Sequence, residues 1–522
     1  MNNNEKIIGN RLAGAELQMI SANDRLNYNE NIHDARKSGL GRTGWYFLTI
    51  FLFLVVVGIC MAFDSRVGHD PGLFLFMVFS LCMAPFILVK ESSGRYCLLV
   101  LAGPLMFLYF GFNDLLSYFL DLRGRYVTAE NSILTHAELV ILIGIAALFV
   151  GYIVAARILG RSKQMPFSDD WKTGNTVVLG IICVVVGLYA TYLMQIAVDY
   201  RQNVDLGSES SAAMTVFSRM LEPFGAVLLS YAYMKTRSYN LLVVILVIAA
   251  VKLPIGLILN SKEIGISFIA TFLVTKWIYD GKLPLRWVAI FATVLIIYFP
   301  LSYAYRTALQ SKSLSVMKSM GSIDVLMDKA VASNAKEKKP FDGLDKFAGR
   351  NDYKTIIELT VHRFGVDLPF MGGKTYIELP FVFIPRLIMP NKPAFSVGQT
   401  FNRQLKLSAN KNTYISTTFL GEFYWNFGTL GVLCGMFCTG LFWGVIGSVA
   451  NIREKASVTR LLILISAVYT LILKFETGFA QQNIVFLRSC LIISVLHLLF
   501  RDRRSAALSE VEGRLSRTAN AS

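Results

Sequence analysis

About twelve apolar runs, each close to the roughly 20 residues that cross a bilayer as a helix, leave this chain few ways to fold. They lie near 44–63, 72–89, 96–119, 137–156, 175–198, 215–234, 240–259, 264–279, 284–304, 428–450, 458–475 and 483–500. Of the 522 residues, 54% are hydrophobic and only 16% charged, which is too apolar for a water-soluble surface. In lipid each run must satisfy its own backbone hydrogen bonds, and a helix does so. The reading is an all-α polytopic integral membrane protein of about twelve transmembrane helices.

Orientation follows from where short loops keep their cations, because cytoplasmic loops retain Lys and Arg. Arg25, Arg36, Lys37 and Arg42, then Lys90 with Arg95, Arg157 to Lys163, Lys235 with Arg237, Lys282 with Arg286, Arg453 to Arg460 and Arg501 to Arg504 fall on alternate loops. Those loops are therefore read as cytoplasmic, with both termini inside. This divides the chain into a cytoplasmic tail (1–43), helices one to nine (44–305), a large extracytoplasmic loop (306–414), helices ten to twelve (415–500) and a cytoplasmic tail (501–522). The first 43 residues are long and mixed in charge, unlike a cleaved signal, so the first helix is expected to stay. All seven cysteines lie in or beside apolar runs, so no disulfide framework is expected.

The loop from Arg306 to Tyr414 carries 17 Lys and Arg against 9 Asp and Glu, on the side where retained cations are not expected. An anionic ligand is one explanation. Asp114, Glu138, Arg219, Glu222, Lys252, Lys474, Glu476 and Arg488 fall in the outer parts of their helices. As a group they suggest a polar chamber open to the outside, although singly each could snorkel to the headgroups. Lys252, followed by Leu253 and Pro254, sits well inside its segment.

Within the loop, Ser333 to Lys354 is charged and reads as a solvated, mobile segment with no chemistry. Ile357, Val361 and Phe364 at i, i+4, i+7 predict an amphipathic helix resting on the membrane surface or on the bundle. His362 and Arg363 lie beside that stripe, with Glu358 one turn before His362. Gly372-Gly373-Lys374-Thr375-Tyr376 then opens a stretch where Pro369, Pro380, Pro385, Pro390 and Pro393 predict a rigid, broken path. Phe381 to Ile384 is apolar enough to dip into the interface and hold Arg386 and Lys392 at headgroup depth.

The run Ile384-Pro385-Arg386-Leu387-Ile388-Met389-Pro390-Asn391-Lys392-Pro393, followed by Gly398 and Phe401, resembles the Pro-Arg…Pro-x-Lys-Pro signature of bacterial O-antigen and related oligosaccharide repeat-unit polymerases, the Wzy type. Thr418-Phe419-Leu420-Gly421-Glu422-Phe423-Tyr424-Trp425-Asn426-Phe427-Gly428 is similar to the Gly-Glu…Asn-Phe-Gly stretch that follows it in the same family. Ser261-Lys262-Glu263 resembles the polar turn before one of the family's later helices. Motif-level likeness covers 384–428 only.

The resemblance implies a C-type glycosyltransferase-like fold in the bacterial inner membrane. The reaction it implies transfers a growing glycan from undecaprenyl diphosphate onto the next lipid-linked repeat unit at the outer face. It also implies membrane lipids, a chain-length regulator and a flippase of the same pathway as partners; no nucleic acid is expected. Cleaving an anomeric bond to diphosphate requires stabilising a leaving group that gains negative charge, which guanidinium and ammonium groups can do. Arg386, Lys392, Arg363 and Arg306 are the candidates, with Lys262 and Lys252 as further phosphate contacts. No Asp-x-Asp pair lies on the outer side, so neither metal nor cofactor is expected. For a base acting on the acceptor hydroxyl, Glu422 comes first and His362 second. Tyr424, Trp425 and Asn426 are residue types that suit sugars. A purely structural bond at the helix mouth remains the other reading of Glu422. An O-antigen ligase, or a flippase or transporter, are the competing functions.

Overall fold

The computed structural model describes residues 71–88, 95–115, 131–159, 171–201, 209–258, 262–282, 284–311, 352–377, 379, 381, 389, 397–408, 410, 413–452 and 457–501. All of them belong to one compact unit, Val57–Ser522. Among them there is no strand, and the order of helices is α1 Pro71–Leu88, α2 Cys97–Phe110, α3 Asn131–Leu159, α4 Thr173–Arg201, α5 Glu209–Thr236, α6 Tyr239–Ile258, α7 Lys262–Asp280, α8 Leu285–Ser311, α9 Tyr353–Arg363, α10 Val397–Leu405, α11 Thr418–Val449, α12 Val458–Ala467 and α13 Phe479–Phe500. The widened turn Val468–Ile472 continues α12 as a π-helix. Every apolar run from 72 onward coincides with one of these helices, whereas the first, 44–63, lies outside the described residues.

Among the described residues, five stretches are long and apolar enough to cross a membrane: His136–Leu159, Thr173–Leu193, Tyr239–Leu257, Thr418–Val449 and Phe479–Phe500. Their burial is inverted relative to a water-soluble protein. Leu430 is 73% and Leu499 70% exposed, while Lys252 is 0% exposed. Water would oppose that arrangement and lipid favours it. The chain therefore reads as a membrane protein.

Because lipid is as apolar as leucine, helices in it associate through close packing of small residues. The pair α3 and α11 does this with glycine on both sides. A Cβ on Gly151 would run into the Phe437 carbonyl oxygen, and one on Gly440 into that of Leu148. Gly444 sits against Tyr152 in the same way. A second glycine seam joins α4 to α5, where Gly180 and Val184 pack against Gly225. These two seams leave no room for a larger side chain, so each fixes the register of its helix pair.

In the large loop, α9 forms where the Ile357, Val361 and Phe364 stripe predicts it. All three are buried, and the helix packs on α3, α11 and α2, so it rests on the bundle.

Candidate functional site

The site is built around a break in α11. Gly428 takes φ 67° and ψ −154°, a conformation open essentially to glycine alone, and interrupts the helix. The break leaves the carbonyls of Trp425 and Asn426 without helical partners, and an orphan carbonyl in a membrane helix must find a donor. Residues about 50 positions earlier supply them. Met371 N donates to Trp425 O at 3.0 Å and Gly372 N to Asn426 O at 3.1 Å. Gly372 and Gly373 both have positive φ, which turns three successive loop amides toward the broken helix. The third, Gly373 N, donates to Asn426 Oδ1 at 3.0 Å. The Asn426 amide in turn donates to Thr375 Oγ1 and to Glu422 O, both at 2.8 Å.

The start of α11 is held from the other side. Thr418 N donates to Glu476 O at 2.8 Å and Phe419 N to Phe475 O at 3.1 Å, in the turn between the π-helix and α13. This turn brings the N-terminus of α13 to Glu422. Glu422 is fully buried, and neither carboxyl oxygen has a partner at hydrogen-bonding geometry among the described residues. Its nearest polar neighbours are the Thr375 hydroxyl and the amides of Phe479 and Ala480. The residue before α13 is Gly478, which has no side chain to cap the helix. A Cβ there would lie 2.8 Å from Glu422 Oε2. The carboxyl thus faces the uncapped start of α13, where the helix dipole favours negative charge.

Above this, α9 is anchored by charge. Asp352 caps it, accepting from Thr355 N at 3.2 Å and Thr355 Oγ1 at 2.8 Å. Tyr353 Oη donates to Glu476 Oε2 at 2.6 Å. Lys354 is buried, with Nζ 2.6 Å from Asp114 Oδ2, 2.8 Å from Glu138 Oε1 and 3.9 Å from Glu358 Oε1. Burial alone would lower the Lys354 pKa, but the surrounding carboxylates outweigh it and hold the ammonium above its ordinary range. Burial acts first on Glu358 too and pushes it up from 4.5 to about 7, against the pull of Lys354. Lys354 was expected in a solvated segment without chemistry; for Asp352 to Lys354 that expectation is corrected. Charge density suggested water, yet the lysine faces carboxylates that come from helices more than 200 residues away.

The residues singled out from sequence fall into three groups. Glu422, Tyr424 and Asn426 lie together at the break, with Tyr424 between His136 and Phe370 rings. Trp425 is fully buried, with rings of Phe364 and Phe401 at 5.8 and 5.3 Å and its Nε1 donating to Gln404 at 2.9 Å, so it is a core residue where α11 meets the large loop. His362 is exposed on α9, while Arg363 is half-exposed and pairs with Asp367 at 3.2 Å. Lys252 is enclosed: it pairs with Glu222 and donates to Ser267 at 2.8 Å, tying α6 to α5 and α7. Arg386 and Lys392 lie outside the described residues, and for Arg306 and Lys262 only the helical backbone is described.

At least six of the eight ionisable residues expected in an open chamber meet protein partners, Glu222 and Lys252 among them. Asp114 and Glu138 share Lys354, Lys474 pairs with Glu263 at 3.0 Å, and Glu476 accepts from Tyr353. Sequence reasoning missed Lys354, Thr375 and the approach of Glu422 to the first turn of α13. Thr375 stood in the Gly-Gly-Lys-Thr-Tyr motif, but nothing local marks it as a partner of Asn426. No family model, curated protein sequence or solved structure matches the chain.

Proposed function

We propose that the chain is a polysaccharide polymerase that transfers a growing glycan from undecaprenyl diphosphate onto a lipid-linked repeat unit at the outer face of the bacterial inner membrane. In this reading the membrane part comprises about twelve helices, both termini are cytoplasmic and the 306–414 loop is extracytoplasmic. The observation that carries the reading is a bonded junction at the second of the two regions of sequence resemblance, made by the turn that precedes the first. The Gly-Gly-Lys-Thr-Tyr turn leading into the Pro-Arg motif is bonded through three amides and Asn426 to the Gly-Glu…Asn-Phe-Gly segment.

In the mechanism, Arg386 and Lys392 take the diphosphate, with Arg363 and Arg306 as further candidates, and stabilise its charge as the anomeric bond breaks. Glu422 is enclosed, so its role here is positioning: it lies between the Thr375 hydroxyl and the first turn of α13. The base is then the exposed His362. Glu422→Gln separates the roles, since an amide keeps the shape but cannot accept a proton. Substantial polymer from a normally inserted Glu422→Gln protein supports positioning; loss of polymer with wild-type stability returns the base role to Glu422. The function itself is tested by incubating purified protein with a lipid-linked repeat unit and looking for a ladder. Absence of a ladder, with single units joined to a lipid A core acceptor, identifies a ligase.

The enclosed Glu222, Lys252 and Ser267 cluster favours one second reading, because charge inside membrane helices commonly marks a transport path. Uptake of lipid-linked sugar into vesicles containing only this protein would support a flippase or transporter.

A further inference from the structure

We propose that the turn Phe370–Ile377 is a membrane anchor seated in the headgroup layer, with Phe370 and Ile377 in the lipid and Lys374 at the phosphates of anionic lipids. Two independent observations lead there. The first is depth. The part of α11 after Gly428 is about 31 Å long at 1.5 Å per residue, which equals the hydrocarbon core of roughly 30 Å. With Val449 at one boundary, Gly428 stands at the other. The 22-residue α13, which starts beside Glu422, is about 33 Å long and agrees.

The second observation is continuity of the apolar surface. Phe427, Leu430 and Leu433 form an exposed stripe on α11, the side of a span that meets lipid. The turn lies against the end of this stripe. The Tyr376 ring stacks on Phe427, with centroids 6.3 Å apart and an interplanar angle of 23°. A Cβ on Gly373 would touch Phe427 at 3.1 Å, and one on Gly428 would touch Phe370 at 3.2 Å. Phe370 and Ile377 are themselves exposed, 43% and 58%, so the apolar face of α11 runs on without interruption into the turn. Water over such a face is unfavourable, whereas the acyl boundary suits it. Between these two side chains Lys374 is exposed, and its stem can extend along the apolar surface to a phosphate. The occupant of the face is therefore lipid, independent of the reaction catalysed.

The test uses full-length protein in nanodiscs of phosphatidylcholine and phosphatidylglycerol. The photoreactive residue p-benzoylphenylalanine is placed at Phe370, at Ile377, at Leu430 as a lipid-facing reference and at Arg237 as a half-exposed polar reference. After irradiation, mass spectrometry counts lipid adducts. Adducts at 370 and 377 should approach those at 430 and exceed those at 237. Phosphatidylglycerol should be enriched in them by about fivefold, the effect of one lysine near an anionic surface, and Lys374→Gln should remove that enrichment while leaving the adducts. Labelling at 370 and 377 no greater than at 237 overturns the anchor, as does a cross-linked dimer in place of lipid adducts. An adduct composition that Lys374→Gln does not change overturns the role of Lys374. Phe370 exchanges one aromatic for another, so at least one probe position preserves packing if Ile377 does not.

Discussion

Replacing Lys354 by Met tests whether charge holds the large loop to the bundle. The change keeps a long apolar stem and removes the ammonium, which also lies 4.4 Å from the centre of the Phe74 ring. It leaves Glu138, whose side chain is 8% exposed, and Asp114, at 23%, without their cation. Breaking a buried pair by removing one partner costs about 3–5 kcal/mol. Asp114 is partly wet and relaxes at least cost, so the lower end, about 3 kcal/mol, is expected. Hydrogen exchange of the Tyr353–Arg363 amides in nanodiscs should then lose about two orders of magnitude of protection. Lys354→Met combined with Asp114→Asn and Glu138→Gln should recover most of it, because the stranded charges are gone. If the single variant retains wild-type protection, or the triple variant is no better than the single, ion pairing is not what docks α9.

Glu358 supplies a pH test of the same anchor. Its folded pKa of about 7 lies above its ordinary 4.5, so its contribution is complete below about pH 4.5 and fades as pH rises through 7. Protection of α9 should fall by up to about 3 kcal/mol of opening free energy between pH 5 and 8, and Glu358→Gln should flatten that slope in exchange measured at matched intrinsic rates. Gly428→Ala forces a Cβ into a conformation that costs about 1–3 kcal/mol and brings it to Phe370; a lowered thermal midpoint in detergent is expected, and an unchanged one refutes the strain. Arg386→Ala should lower polymer by about 30-fold or more at normal protein levels, and Arg386→Lys should restore activity only if charge matters more than the planar fork. Polymerisation by the purified protein should also persist in excess EDTA, and a strict requirement for added magnesium or manganese counts against a cationic site made of protein side chains.

Helix positions were legible because lipid makes them a one-dimensional property: an apolar run of sufficient length forms a helix wherever it lies. Likewise, the α9 stripe at Ile357, Val361 and Phe364 shows its period within a single turn-by-turn window. Lys354 was misread because composition reports the average solvent of a segment, not the partner of one side chain. Asp114 and Glu138 are too distant in sequence to be tied to it by spacing. The same limitation applies to Lys252, whose depth was seen but whose Glu222 partner on the preceding helix was not. Trp425 is the converse case. Its neighbours in the motif suggested a sugar platform, while the aromatic contacts that bury it come from α9 and α10.

The break at Gly428 and the turn at Gly372-Gly373 cannot be understood separately. Each exposes backbone that the membrane boundary would penalise, the helix its carbonyls and the turn its amides, and each satisfies the other. Neither would persist alone at that depth: an unpartnered turn would move toward water, and an unpartnered helix would close its ladder by straightening. Straightening would rotate Glu422 relative to the first turn of α13 and separate Asn426 from Thr375. The chain leading into the Pro-Arg motif is thus coupled, through three amides and one asparagine, to the orientation of the membrane helix that carries the Gly-Glu segment. Any ligand that pulls on the 377–393 stretch acts on this junction first, because Thr375 and Tyr376 are the last residues before it that are bonded or stacked against α11.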